Sequence, residues 1–86
     1  MSLNSKQTNT KCAIFAQPTL NNITWDEVVS LLKAIDCIVT QRGGSATLFT
    51  RGNDKQILHR PHPGNTLKVY AVKEVRDFLI QLGETP

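Results

Sequence analysis

The chain has 86 residues, of which 40% are hydrophobic, and carries a formal net charge of +3. This length and composition suit a single domain with one modest core, and they exclude a chain that is disordered throughout. No apolar run approaches the roughly 20 residues of a membrane-spanning helix, and residues 1–11, MSLNSKQTNTK, lack the apolar centre of a signal peptide. We therefore expect a cytoplasmic protein without a membrane-spanning segment.

The two cysteines, Cys12 and Cys37, show neither CxxC spacing nor another spacing typical of metal ligands. In the cytoplasm they are expected to be reduced, with Cys37 as a small core residue. The chain has only two histidines, His59 and His62, and a metal site would need further ligands. We therefore expect neither a metal nor another cofactor.

Residues 1–20 are expected to form an N-terminal extension that is partly flexible or a short helix, and residues 21–86 the main domain. Within the extension, residues 11–18, KCAIFAQP, are expected to form a short helical turn that packs on the core after a frayed terminus. The sequence shows no internal repeat and no low-complexity tract.

The clearest helix signal begins at Thr24. Thr24 and Glu27 form a capping-box pattern, in which each side chain satisfies a backbone N–H group of the other residue. Asp26 adds negative charge where the helix dipole favours it. Apolar residues then give the helix one apolar face at helical spacing: Trp25, Val28, Leu31, Leu32 and Ile35.

Three short strands are predicted after this helix. Residues 37–41, CIVTQ, are rich in β-branched residues, and residues 46–50, ATLFT, alternate between two faces. Residues 51–54, RGND, predict a tight turn into a returning strand over residues 55–60, KQILHR. In that strand, alternation places Ile57 and His59 on one face.

Two prolines end the third strand, because proline cannot donate to the ladder. A second helix is predicted over residues 70–82, with an apolar stripe and with Gly83 where a helix commonly ends. An antiparallel sheet packs one face on its helices and leaves the other open. The expected fold is therefore α+β, with a three-stranded antiparallel sheet and both helices on one face.

Positive charge is concentrated in the middle of the sequence. Residues 42–70 contain one acidic residue, Asp54, against five basic ones: Arg42, Arg51, Lys55, Arg60 and Lys68. Such a patch attracts phosphates, because phosphate counterions are released on binding. On charge alone, a solvated basic face on a mildly basic protein is the alternative interpretation.

The two histidines are the candidates for acid–base chemistry near neutral pH. For His59 the alternative is a half-buried strand residue that bonds a neighbour. His62 lies between two prolines, and such rigid neighbours lower the entropy cost of a contact. Arg60 and Lys68 add positive charge on either side of His62, which suits a phosphate backbone.

These segments together resemble the HicA toxins of bacterial toxin–antitoxin systems. The resemblance covers residues 24–83 and rests on the order and spacing of four stretches: TWDEVVSLLKAID, GGSATLF, QILHRPHPGNTLK and AVKEVRDFLIQLG. The family consists of small mRNA interferases with a double-stranded-RNA-binding-domain-like α-β-β-β-α fold. The resemblance implies endoribonuclease chemistry on single-stranded mRNA, a HicB-like antitoxin as partner, and an extension at residues 1–20.

The family's turn carries Gly-Ser-His, and its histidine is the catalytic residue. Here Gly44 and Ser45 match, but Ala46 occupies the histidine position. Asn65-Thr66 and Tyr70-Ala71 also depart from the family pattern. The resemblance and the charge together imply an RNA-binding set around this turn: Arg42, Gly44, Ser45, His59, Arg60, His62 and Lys68.

A methyl group at position 46 supplies none of the acid–base catalysis that activates a ribose 2′-hydroxyl or a water. Three interpretations follow: an alanine substituted for a native histidine, a natural member that lost catalysis, or a centre in which His59 or His62 took over. The first two predict binding without efficient cleavage, and the third requires a histidine beside Ser45. A non-catalytic RNA- or protein-binding module on the same basic sheet face is the alternative function.

Overall fold

The computed structural model describes residues 3–86 and has a helix, a three-stranded antiparallel sheet and a closing helix, with one more helix in front. This confirms the expected α+β fold. The elements in chain order are α1 (Ser5–Ile14), α2 (Trp25–Ala34), β1 (Ile38–Gln41), β2 (Ala46–Arg51), β3 (Asp54–His59) and α3 (Val69–Gln81).

The sheet has the strand order β1-β2-β3, and both pairings are antiparallel. Directly paired residues share a face, so the register divides the sheet into two surfaces. The inner face is largely buried and includes Val39, Thr47, Phe49 and Leu58. The open face is exposed or half-buried and consists of Ile38, Thr40, Ala46, Leu48, Thr50, Lys55, Ile57 and His59.

The core lies between the inner face and the helices. The Trp25 ring at the start of α2 meets the Phe49 ring of β2 edge-on, with centroids 5.9 Å apart and an interplanar angle of 69°. The apolar stripe of α2 is buried here, as is that of α3, which comprises Val72, Val75, Phe78 and Leu79. The helical spacing in the sequence therefore identified the packed faces correctly.

Helix α1 is longer than expected and begins earlier than the helical turn predicted over residues 11–18. Asn4 is its N-cap: the Asn4 side chain accepts from the Gln7 N–H, and the Gln7 side chain accepts from the Asn4 N–H. Its end is fixed to α3, because Arg76 donates to the carbonyl oxygen of Ile14 at 2.9 Å. Ile14 is fully buried. This helix thus contributes to the same core as the rest of the domain.

Small differences from the predicted strand and helix ends have local causes. The β2–β3 turn comprises only Gly52 and Asn53, and Gly52 takes a left-handed conformation with φ of +60°. The third strand consequently runs from Asp54 to His59 instead of over residues 55–60. Arg60 still donates its backbone N–H to the Ser45 carbonyl oxygen at 2.9 Å, so one further hydrogen bond joins the two segments beyond the end of β3.

Cys37 is buried, as expected, and burial raises the pKa of its thiol, whereas Cys12 is exposed. Within residues 3–86, no helix is long and apolar enough to cross a membrane. The same residues bring together no group of three or more metal-ligating side chains.

Candidate nucleic-acid interface

The turn between β1 and β2 presents Ser45 at the surface. The Arg42 N–H donates to the Ala46 carbonyl oxygen at 2.9 Å, and the Ala46 N–H donates to the Gly43 carbonyl oxygen at 3.3 Å. Gly44 has a φ of +63°, a conformation that glycine adopts without steric cost. The turn is therefore closed by its own backbone, and its side chains from Arg42 to Ser45 are exposed.

Across the sheet, the register brings His59 to this turn. His59 is the direct partner of Ala46 in the β2–β3 pairing, and its Nδ1 lies 3.4 Å from the Ser45 hydroxyl oxygen. The imidazole is exposed. The arrangement thus places a titratable ring beside the residue whose own side chain is a methyl group.

The loop between β3 and α3 is fixed at its far end. The Leu67 N–H donates to the Ile23 carbonyl oxygen at 2.8 Å, and the Trp25 N–H donates to the Asn65 carbonyl oxygen at 2.7 Å. Leu67 is buried. These bonds tie the loop to the start of α2, so the segment that contains His62 is held at its C-terminal end.

The β1–β2 turn and this loop enclose an open depression of about 510 Å³, which we call the Ser45 depression. Its lining consists of Gly44, Ser45, Arg60, Pro61, His62 and Gly64. The two glycines leave room for a ligand to approach the backbone, and Gly64 has a φ of +91°. A hydroxyl, a guanidinium and an imidazole around a concave surface match the donors that phosphate oxygens accept from.

The structure brings together four of the predicted RNA-binding residues and leaves three outside this lining. Gly44, Ser45, Arg60 and His62 line the depression, and His59 adjoins it through Ser45. Arg42 instead borders a second depression of about 320 Å³, with Leu48, Lys55, Gln56 and Ile57. Lys68 is exposed at the residue where α3 begins. The predicted set therefore does not converge on one point.

Arg51 belongs to the basic stretch of the sequence but is used inside the fold. Its guanidinium donates to the Leu82 carbonyl oxygen at 2.7 Å and to the Ile35 carbonyl oxygen at 3.2 Å. It also pairs with Glu84 at 3.3 Å, and Lys11 pairs with the same carboxylate at 3.3 Å. Burial acts to raise the pKa of Glu84, but the hydrogen bonds and charges of Arg51 and Lys11 outweigh it and hold that pKa below its ordinary value.

Sequence reasoning missed Pro61 and Gly64 as parts of the site. The signal was present for Gly64, because a glycine after a proline-rich strand end is typical of a turn with positive φ. Nothing local marked Pro61, since its position in the lining depends on how the loop folds back toward Gly44.

Comparison with known proteins identifies the family of this arrangement. The family model described as the HicA toxin of bacterial toxin–antitoxin systems matches residues 25–83, from the start of α2 to the glycine after α3. No curated protein and no solved structure matches the chain. The matched range covers well over half of the 86 residues, and the chain therefore belongs to the HicA toxin family.

Proposed function

We propose that this chain is an RNA-binding member of the family whose cleavage of single-stranded mRNA is weak or absent because Ala46 occupies the position of the general-base histidine. The activity of the family is that of an mRNA interferase, an endoribonuclease that cleaves RNA. Residues 21–86 form the toxin-like domain and residues 1–20 the N-terminal extension.

The observation that carries this proposal is the position of Ala46. It is half-buried at the start of β2, next to Ser45 and directly opposite His59. A histidine here would hold an imidazole at the rim of the Ser45 depression. General acid–base catalysis by such a group contributes about 10²–10⁴-fold to a rate, and a methyl group contributes none of it.

RNA binding itself does not need an imidazole at position 46. Arg60 and His62 line the Ser45 depression together with Ser45, and Arg42 and Lys68 are further exposed positive charges on the chain. Contacts of this kind position the phosphate backbone and carry little sequence information. The expected result is RNA affinity that decreases as salt rises.

A HicB-like antitoxin is the second proposed partner, on the same basic sheet face. The open face supports this, because Ile38 is 67% exposed and Ile57 is 46% exposed beside Arg42 and Lys55. A protein partner that covers these side chains removes apolar area from water and blocks RNA at the adjoining turn. We propose that the chain binds both RNA and the antitoxin in the cytoplasm.

The test restores the missing group. Ala46→His is compared with the unchanged chain and with Ala46→Asn, whose side chain is polar and similar in size to imidazole but is not a base. We expect faster cleavage of a long unstructured RNA only with Ala46→His. Equal cleavage by all three proteins would contradict a catalytic role for position 46. RNA binding without cleavage by any of them would favour the non-catalytic RNA-binding module. If none of them bound RNA at low salt, a protein-binding module would remain.

A further inference from the structure

We propose that His59 acts as the general base of a residual ribonuclease activity, with Ser45 as its positioning residue. This proposal rests on the proposed function, since it requires RNA in the Ser45 depression. In this proposal the general base is not at position 46 on β2 but at His59, its direct partner on β3.

Register and distance support this placement. Because His59 and Ala46 are direct antiparallel partners, their side chains leave the same face of the sheet. The side chain directly opposite His59 is only the methyl group of Ala46. The 3.4 Å separation between His59 Nδ1 and Ser45 Oγ connects the ring to the depression that RNA is proposed to enter.

The contact with Ser45 bears on which ring nitrogen acts, because the hydroxyl can either accept from Nδ1–H or donate to an unprotonated Nδ1. When the Nδ1–H of His59 donates to the Ser45 hydroxyl oxygen, the second ring nitrogen, Nε2, is unprotonated and accepts a proton. A separation of 3.4 Å is longer than a strong hydrogen bond, and contacts of this kind commonly shorten when substrate binds. In the proposed mechanism Ser45 accepts from Nδ1–H and thereby favours the tautomer that a general base requires.

The chemistry balances without a cofactor. Nε2 of His59 takes the proton of a ribose 2′-hydroxyl, and the 2′-oxygen forms a bond to the adjacent phosphorus. The bond from phosphorus to the 5′-oxygen of the next nucleotide breaks, and that oxygen takes a proton from water. The products are a 2′,3′-cyclic phosphate and a 5′-hydroxyl, and His59 returns its proton to solvent. Arg60 is placed to neutralise the phosphate charge during the step, and His62 to donate a hydrogen bond to a phosphate oxygen.

The experiment measures single-turnover cleavage of a labelled, unstructured RNA by the full chain at saturating protein. We expect slow cleavage that yields 2′,3′-cyclic phosphate ends, with a rate that falls about 10²-fold or more in His59→Gln. Binding of the same RNA with 2′-O-methyl groups, which cannot be cleaved, should change little. Lys33→Gln, at the exposed far end of α2, is the matched surface control and should cleave like the unchanged chain.

Ser45 is tested by its own series. Ser45→Ala should lower the rate at saturating protein, and Ser45→Thr, which keeps the hydroxyl, should restore most of it. A purely structural role for Ser45 would instead change the melting temperature in parallel with the rate.

The outcomes separate this proposal from the proposed function. If the unchanged chain binds RNA but yields no cyclic-phosphate ends, or if His59→Gln cleaves as fast as the unchanged chain, the role of His59 is wrong and RNA binding stands. If the chain does not bind the 2′-O-methyl RNA at low salt, the proposed function fails as well.

Discussion

Ala46 and His59 face each other across β2 and β3, and the His59 ring lies 3.4 Å from the Ser45 hydroxyl oxygen. The position that we propose has lost a catalytic imidazole is therefore paired with one of the two histidines of the chain. This pairing follows from the two-residue turn at Gly52-Asn53, which sets the register of the hairpin.

Removal of the Arg60 charge should weaken RNA binding without affecting the fold. Arg60 is exposed and lines the Ser45 depression, so Arg60→Gln should reduce affinity and lower the slope of log affinity against log salt by about 1. Fluorescence anisotropy over a salt series measures both. Lys33→Gln removes one positive charge far from the depression, and an equal loss of affinity in that control would contradict a local phosphate contact.

Arg51 should behave as a structural residue in spite of its place in the basic stretch. In Arg51→Met the carbonyl oxygens of Leu82 and Ile35 lose their charged donor, and we expect a loss of about 2 kcal/mol in the free energy of unfolding. Urea denaturation measures this. RNA affinity should change no more than in Lys33→Gln, and a selective loss of RNA binding with unchanged stability would place Arg51 at the interface instead.

Acid should destabilise the protein partly through Glu84, whose folded-state pKa is held below its ordinary value despite burial, by hydrogen bonds and charges from Arg51 and Lys11. A lowered folded-state pKa contributes stability that is present above the unfolded pKa and is lost as pH falls through the folded one. Glu84→Gln should therefore cost about 0.5–1 kcal/mol at neutral pH and flatten the loss of stability on acidification. If the free energy of unfolding depended on pH in the same way in the unchanged chain and in Glu84→Gln, the contacts of Glu84 with Arg51 and Lys11 would contribute nothing to acid sensitivity.

Helix α1 should be part of the cooperative unit. Ile14 is fully buried at its end, so Ile14→Ala should lower the free energy of unfolding by about 2–5 kcal/mol. Thr8→Ala, at an exposed position of the same helix, is the control and should change it by about 0.5 kcal/mol or less. A small effect of Ile14→Ala would mean that α1 packs loosely and that the core begins at α2.

The sequence predicted the elements whose signals are local. The Thr24–Glu27 capping box is formed as predicted, with the Glu27 N–H donating to Thr24 Oγ1 at 3.2 Å. Strand alternation likewise predicted that Ile57 and His59 share a face, which the structure shows to be the open one. Helix α1 was placed incorrectly because SKQTNTKCAI has no apolar stripe, and the Asn4–Gln7 cap that begins it was overlooked.

The candidate site was less accessible to sequence reasoning, because it depends on contacts between distant segments. The proximity of His59 to Ser45 requires the hairpin register, which a tight turn at residues 51–54 suggested but did not determine. Arg51 donates to the carbonyl oxygens of Ile35 and Leu82, which come together only in the folded chain. No local sequence pattern predicts that contact. Charge counting therefore overestimated the basic surface by one residue.

The most direct test of the account is the cleavage rate of an unstructured RNA by Ala46→His, with Ala46→Asn as control. We expect a gain of about 10²-fold or more for the histidine alone, and we expect that gain to persist when His59→Gln is added. A cleavage rate for Ala46→His no higher than that of Ala46→Asn, in proteins that bind RNA equally well, would contradict the claim that position 46 is the catalytic position.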